Sequence, residues 1–268
     1  MKDKIVTFGE IMLRLSPENN ARFTQCNAFE AVYGGGEANT AVSLANFDVD
    51  ANYVTKLPKH IIGQAAINSL RQYGVGVDHI VRGGDQIGIY FLEKKTSQRP
   101  TNVIYNRAGS AFALATADDF DWDEIFDGAT WFHFSGITPA ISDEMTNICI
   151  TACQKAKEKG MTVSCDLNYR SKLWSSEKAN KVMSEVCRYV DICIANEDDA
   201  VGIFGMDASK SDKEKNAYIA EELTKMFPNF KMVASVWRTE TSITTFKLQS
   251  MIYTDGKAYY SQEFFMNI

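Results

Sequence analysis

Two arginines stand where apolar runs give out. Arg107 closes a β-rich stretch ending "YNRAG", and Arg170 follows the apolar run of "SCDLNYR". A guanidinium presents a planar fork that pairs bidentately with a carboxylate, whereas a neutral sugar gives it little to hold. Element ends are also where α/β proteins place ligand contacts. A third signal is "YGGGEANTA", residues 33–41, in which Gly34, Gly35 and Gly36 precede Asn39. Consecutive glycines remove Cβ atoms, so that a ligand can lie against backbone amides. An Asn in the first helical turn then offers both a donor and an acceptor, which suits a polyol. A tight turn with a capping Asn reads equally well from these residues. The run is neither the G-x-x-x-x-G-K-[ST] loop that cradles phosphates nor a G-x-G-x-x-G placed after the first strand. Asn196 and Glu197 in "IANEDDA" close an apolar run and open a helical one, and an Asn cap followed by first-turn acids is an ordinary helix start.

These groups need a frame, and the hydropathy pattern supplies one. "KIVTFGE" reads as a strand, "EANTAVSLANF" as a helix, "ANYVTKL" as a strand, and "IIGQAAINSLRQYGV" as a helix closing at Gly74. The same rhythm returns in "TWFHFSG", "SDEMTNICITACQKAKEKG" and "MTVSCDLN", and again in "VDICIAN" with "EDDAVGIFG". Strands so uniformly apolar are buried on both faces, which predicts a parallel sheet between helices. Residues 88–109 break the rhythm with two β-rich runs around a polar, Pro-containing turn, and read as a hairpin. With "IMLRLSP" and "FEAVYGG" this hairpin forms a small sheet outside the main domain. "MIYTDGKAYYSQEFF" carries Asp-Gly hairpin chemistry.

Composition narrows the partners. The 268 residues are 45% hydrophobic and 23% charged with a net charge of −6, the balance of a folded enzyme and not of a surface that binds nucleic acid or acidic membranes. No stretch approaches the roughly 20 apolar residues of a membrane span, and the N-terminus lacks a signal-peptide core, so a cytoplasmic protein is expected. The six cysteines form no C-x-x-C pair; Cys165 and Cys193 lie in apolar runs and read as buried thiols. The three scattered histidines suggest no metal cluster.

Taken in order, "TFGEIMLRLSP", "GGGEANTA", "YNRAGSA", "CDLNYRSKLW" and "IANEDDA" resemble the motifs of the ribokinase-like (PfkB) carbohydrate kinases, closest to the 2-keto-3-deoxygluconate kinases. The resemblance covers essentially the whole chain. It implies a Rossmann-like parallel sheet flanked by helices with a small β-sheet lid, formed here by about 11–35 and 86–109 of a single domain. It implies ATP and Mg²⁺ as cofactors, and a glycine run that holds the acceptor sugar and not the nucleotide. By resemblance, Gly34, Gly35, Gly36, Asn39, Tyr90, Tyr105, Arg107 and Arg170 contact the substrate, with Arg170 also supporting catalysis. Asn168, Asn196, Ser235 and Arg238 fall on the nucleotide side, and Glu197 orders Mg²⁺ through water.

One motif of the family does not appear. Its members place a Gly-Ala-Gly-Asp segment after the last hairpin, with the Asp as general base and the helix start as an anion hole. This chain reaches "EFFMNI" where that segment is due, so the base is expected beyond Ile268; within the chain, Asp166 is the alternative. The expected activity is phosphorylation of 2-keto-3-deoxygluconate. The alternatives are a kinase of a neutral sugar such as fructose and, if the chain truly ends at 268, a non-catalytic sugar-acid binder. The hairpin residues Ile87, Ile89, Phe91, Val103 and Tyr105 give the lid two apolar faces. Only one can cover a small ligand, so a homodimer through the lid is expected.

Overall fold

A computed structural model describes residues 3–96, 98–207, 212–242 and 244–267. The chain divides into two compact units, residues 1–133 with 141–148, and residues 134–140 with 149–268. Described in chain order, the first unit contains β1 (Lys4–Phe8), β2 (Met12–Pro17), β3 (Phe29–Gly34), α1 (Gly36–Asn46), β4 (Asp50–Val54) and β5 (Lys56–Leu57). It continues with α2 (Ile61–Arg71), β6 (Val81–Arg82), β7 (Ile89–Glu93), β8 (Asn102–Asn106), the single turn α3 (Trp122–Ile125) and the start of β9 (Trp131–Ser135).

Strand β1 pairs in parallel with β4 and with β9, its residues Ile5, Val6 and Thr7 lying opposite Trp131, Phe132 and His133. Val6, Thr7 and Phe8 are all buried, as expected of a strand covered on both faces. One side packs Ile11, Ala41, Tyr53, Leu57, Ile67 and Leu70 into a core. On the other, the ring of Phe8 meets Phe112, Phe120 and Trp122 at 5.1–5.4 Å between centroids, mostly edge-on or tilted. The expected small sheet is present with order β3-β2-β7-β8; β2 runs antiparallel to β3 and parallel to β7, and β7 and β8 form the hairpin.

The second unit is built from α4 (Ile137–Ala140), most of α5 (Asp143–Glu158), β10 (Thr162–Asp166), α6 (Ser176–Val186), β11 (Ile192–Ile194), α7 (Glu197–Phe204) and α8 (Asp212–Met226). It ends in β12 (Met232–Glu240), β13 (Thr245–Thr254), β14 (Lys257–Tyr260) and β15 (Phe264–Asn267). Strands β10, β11 and β12 are parallel, with Cys165 opposite Cys193, and β13 reverses the direction against β12. Asp255 and Gly256 turn the β13–β14 hairpin with φ of 50° and 72°, both in the left-handed region that a two-residue type I′ turn requires.

The cysteines are all free, and five of the six are buried, which fits the reading of packed thiols. Among the described residues no helix is long and apolar enough to cross a membrane.

Candidate active site

In the first unit the glycine run divides into three different roles. Gly35 is the N-cap of α1, in extended backbone that any residue could adopt, yet a Cβ there would collide with the carbonyl of Glu10. A Cβ on Gly34 would only touch Asn39 Oδ1, at 3.4 Å, and one on Gly36 would meet nothing within 4 Å. Close approach of backbone therefore explains Gly35, while Gly36 opens onto space. Asn39 does not cap the helix: its own N–H donates to Gly35 O at 2.8 Å inside the first turn, and its side chain is exposed. Gly34 and Asn39 line a cavity of about 450 Å³ together with Ile11, Tyr33, Leu70 and Tyr73. Tyr90, Tyr105 and Arg107 are not part of that lining.

Those three residues lie on or just after the hairpin. Tyr90 and Tyr105 are register partners on β7 and β8, with rings stacked at 5.8 Å and 30°. Arg107 is not the free fork that its position suggests: its guanidinium pairs with the carboxylate of Glu10, and the two side chains are only 11% and 2% exposed. Ser110 Oγ donates to Glu10 Oε1 at 2.6 Å. Burial pushes the Glu10 carboxyl above its ordinary range, against the opposing pull of the Arg107 charge and the Ser110 hydroxyl. Glu10 sits in the quoted opening motif, yet motif reading did not single it out. Its only signal is a carboxylate set within an otherwise apolar run.

In the second unit, the segments that follow two neighbouring strands, β10 and β11, are tied together. Asn168 sits past the end of β10 with φ of 40°, and its amide is 3.5 Å from Asp166 Oδ2. Arg170 is exposed two residues on. After β11, Asn196 caps α7: its side chain accepts the N–H of Asp199 at 3.0 Å, and the Asp199 carboxylate accepts the N–H of Asn196 at 3.0 Å. The helix-start reading of Asn196 is thus the observed local structure, and this role leaves its Nδ2 as the remaining donor. Asp199 also accepts the Tyr169 N–H at 2.6 Å. Burial raises its carboxyl above the usual range, although both backbone donors and the Arg170 charge oppose this.

A cavity of about 320 Å³ is lined by Asn196, Glu197, Lys215, Trp237, Arg238 and Thr239, among others. Lys215 Nζ lies 2.7 Å from Glu197 Oε2, and the Arg238 guanidinium stands 4.3 Å above the ring of Phe246. Ser235 does not join this lining; it is buried, and its hydroxyl donates to Ala195 O at 2.6 Å. Lys215 carries no signal of its own in the sequence, and only the fold brings it to the lining beside Glu197.

The donor set of this cavity suits a nucleotide's polyphosphate. Lys215 and Arg238 line the cavity as cations and Glu197 and Asp198 as carboxylates, the residue types that phosphate oxygens and a divalent ion call for. Among the described residues there is no group of three or more His, Cys, Asp or Glu side chains placed to hold a metal, and Mg²⁺ commonly takes only one or two protein carboxylates beside phosphate oxygens and waters.

A mainly parallel α/β sheet with a separate small β lid is the ribokinase-like fold. A sequence model described as pfkB family carbohydrate kinase matches residues 2–229, and the chain belongs to that family. Its structure is similar to that of 2-dehydro-3-deoxygluconokinase from Thermotoga maritima, at 49% identity and a TM-score of 0.95, covering 99% of this chain and 82% of that one. It is also similar to the 2-dehydro-3-deoxygalactonokinase of Haloferax volcanii, 37% identical over 209 residues, which cover 77% of this chain and 65% of the relative. The 2-dehydro-3-deoxygluconokinase of Bacillus subtilis is 28% identical over 179 residues, 66% of this chain and 55% of the relative. The chain thus spans between about half and two thirds of the length of these two curated relatives.

Proposed function

We propose that this protein is an ATP-dependent kinase of a 2-keto-3-deoxy sugar acid, transferring the γ-phosphoryl group to a primary hydroxyl. The observation that carries the reading is the likeness, over 99% of the chain, to a Thermotoga maritima protein named for that activity. The chemistry of the chain agrees with it. Arg170 is an exposed fork for a carboxylate and Arg107, already paired with Glu10, is assigned to the same group through its remaining donors. The open backbone at Gly36 and the exposed amide of Asn39 suit sugar hydroxyls, and the stacked Tyr90 and Tyr105 offer ring faces and hydroxyls to the carbon chain. Asn168, Asn196, Lys215 and Arg238 are assigned to the phosphate side, with Glu197 addressing Mg²⁺ through water. When bound, ATP with Mg²⁺ supplies the phosphoryl group and neutralises charge on the transferring oxygens. The chain's own contribution is then positioning. Transfer also needs a general base on the attacking hydroxyl, and the residues assigned here bind and orient without supplying it.

The test is ATP turnover with a substrate panel: 2-keto-3-deoxygluconate, its galactonate epimer, and fructose as a neutral sugar. Turnover or calorimetric binding confined to the sugar acids is the expected result. Preference for fructose would replace this reading with that of a neutral-sugar kinase. A homodimer through the lid belongs to the same proposal, since Ile104 and Phe29 are 51% and 40% exposed on one face of it.

A further inference from the structure

Glu10 is a buried carboxylate on which several strand ends close. It lies in the turn between β1 and β2, and Gly35, where β3 passes into α1, is held to glycine by its carbonyl. The Glu10 carboxylate lies close over Gly88, just before β7, where a Cβ would meet Oε1. From beyond β8 come Ser110, whose hydroxyl also accepts the N–H of Ala113 at 3.1 Å, and Arg107. Desolvating a carboxylate and a guanidinium together is expensive, and a well-packed apolar pair is often as stable. Packing alone is therefore a poor reason for the pair. The Arg107 guanidinium, for its part, is held from one side by Glu10, while its Nε is buried without a hydrogen-bond partner.

We propose that Glu10 is a positioning residue for Arg107: it fixes the plane of the guanidinium so that the donors it leaves free meet the carboxylate of the sugar acid. This rests on the sugar-acid reading of the preceding section. The Glu10–Arg107 pair has no net charge, so Arg107 selects a carboxylate by the direction of its N–H groups and not by excess positive charge. The two possibilities give opposite signs. If Glu10 orients Arg107, removing its charge weakens sugar-acid binding. If it merely offsets the charge of Arg107, removing it strengthens binding.

The experiment is calorimetric binding of 2-keto-3-deoxygluconate to the wild type, Glu10→Gln, Arg107→Met and the double variant, with thermal melts of each. Glu10→Gln is expected to raise Kd about tenfold or more, the usual worth of a charge-assisted hydrogen bond. In the Arg107→Met background the same change is expected to alter Kd less than about twofold, because a residue acting through another loses its effect when that other is gone. Ser110→Ala, which removes the second donor to Glu10, is expected to raise Kd in the same direction by a smaller factor, and serves if Glu10→Gln does not fold. Unchanged or tighter binding by a folded Glu10→Gln, or an equal loss with Arg107 already absent, overturns the proposal; for Ser110→Ala an unchanged Kd does so. Failure of the wild type to bind the sugar acid overturns the functional reading itself, and this inference with it, before any variant is compared.

Discussion

The backbone N–H of Tyr169 and the side chain of Asp199 are joined at 2.6 Å. The other oxygen of the same carboxylate takes the N–H of Asn196 at 3.0 Å. One buried group therefore ties the segment after β10, which carries Asn168 and Arg170, to the start of α7, which carries Asn196 and Glu197. Asp199→Ala leaves two backbone donors without their acceptor and is expected to cost about 2 to 4 kcal/mol, read by urea denaturation. The pH dependence has a definite sign. The folded-state carboxyl titrates above its ordinary value, chiefly through burial, so its contribution is most favourable below the unfolded-state pKa and is lost as pH rises through the folded one. In Asp199→Asn that slope should vanish. A variant whose stability follows pH as the wild type's does would remove Asp199 from this role.

The glycines give a paired prediction. Gly35→Ala drives a methyl group into Glu10 O and is expected to cost about 1 to 3 kcal/mol through overpacking. Gly36→Ala points into open space, so its stability should stay within about 0.5 kcal/mol of the wild type. If a sugar lies against that backbone, Kd for the sugar acid rises all the same. Thermal melts with calorimetry on both variants separate packing from binding, and equal melting temperatures for the two would refute the assignment of Gly35.

Arg107 and Arg170 should differ in stability while agreeing in binding. Each change to Ala is expected to weaken sugar-acid binding about tenfold or more. Arg170 is exposed, so its loss should leave the melting temperature nearly unchanged. Arg107→Ala strands the buried Glu10 carboxylate and is expected to destabilise the fold by about 3 to 5 kcal/mol. Unaltered affinity in both variants removes the carboxylate assignment.

The lid hairpin has one partly covered face. Phe91 is met edge-on by Phe23 and Phe29 at 6.3 and 6.2 Å, but its register partner Ile104 is 51% exposed. Ile104→Glu is expected to convert a dimer into monomers at micromolar concentration, measured by sedimentation, with the thermal melt of the subunit little changed. A wild type that is already monomeric there counts against the lid interface.

The elements were legible in the sequence because their signals are local. Alternating apolar runs placed β1, β4, β9, β10 and β11, Asp255-Gly256 announced its turn, and the two β-rich runs of residues 88–109 announced the hairpin. Arg107, Arg170, Asn39 and Asn196 were recognisable by residue type at the ends of those elements. What stayed hidden was how each side chain spends its hydrogen-bonding capacity. Three consecutive glycines look alike in a sequence, and only the fold brings the Glu10 carbonyl, 25 residues earlier, under one of them. Arg107 reads as a free cation until the β1–β2 turn delivers its carboxylate, and Ser235 reads as an available hydroxyl until Ala195, the residue after β11, offers it a carbonyl. Sequence carries residue type and periodicity, which follow from the short-range geometry of the chain. The partners of a buried polar group come from distant segments, and only packing decides which donors and acceptors remain for a ligand.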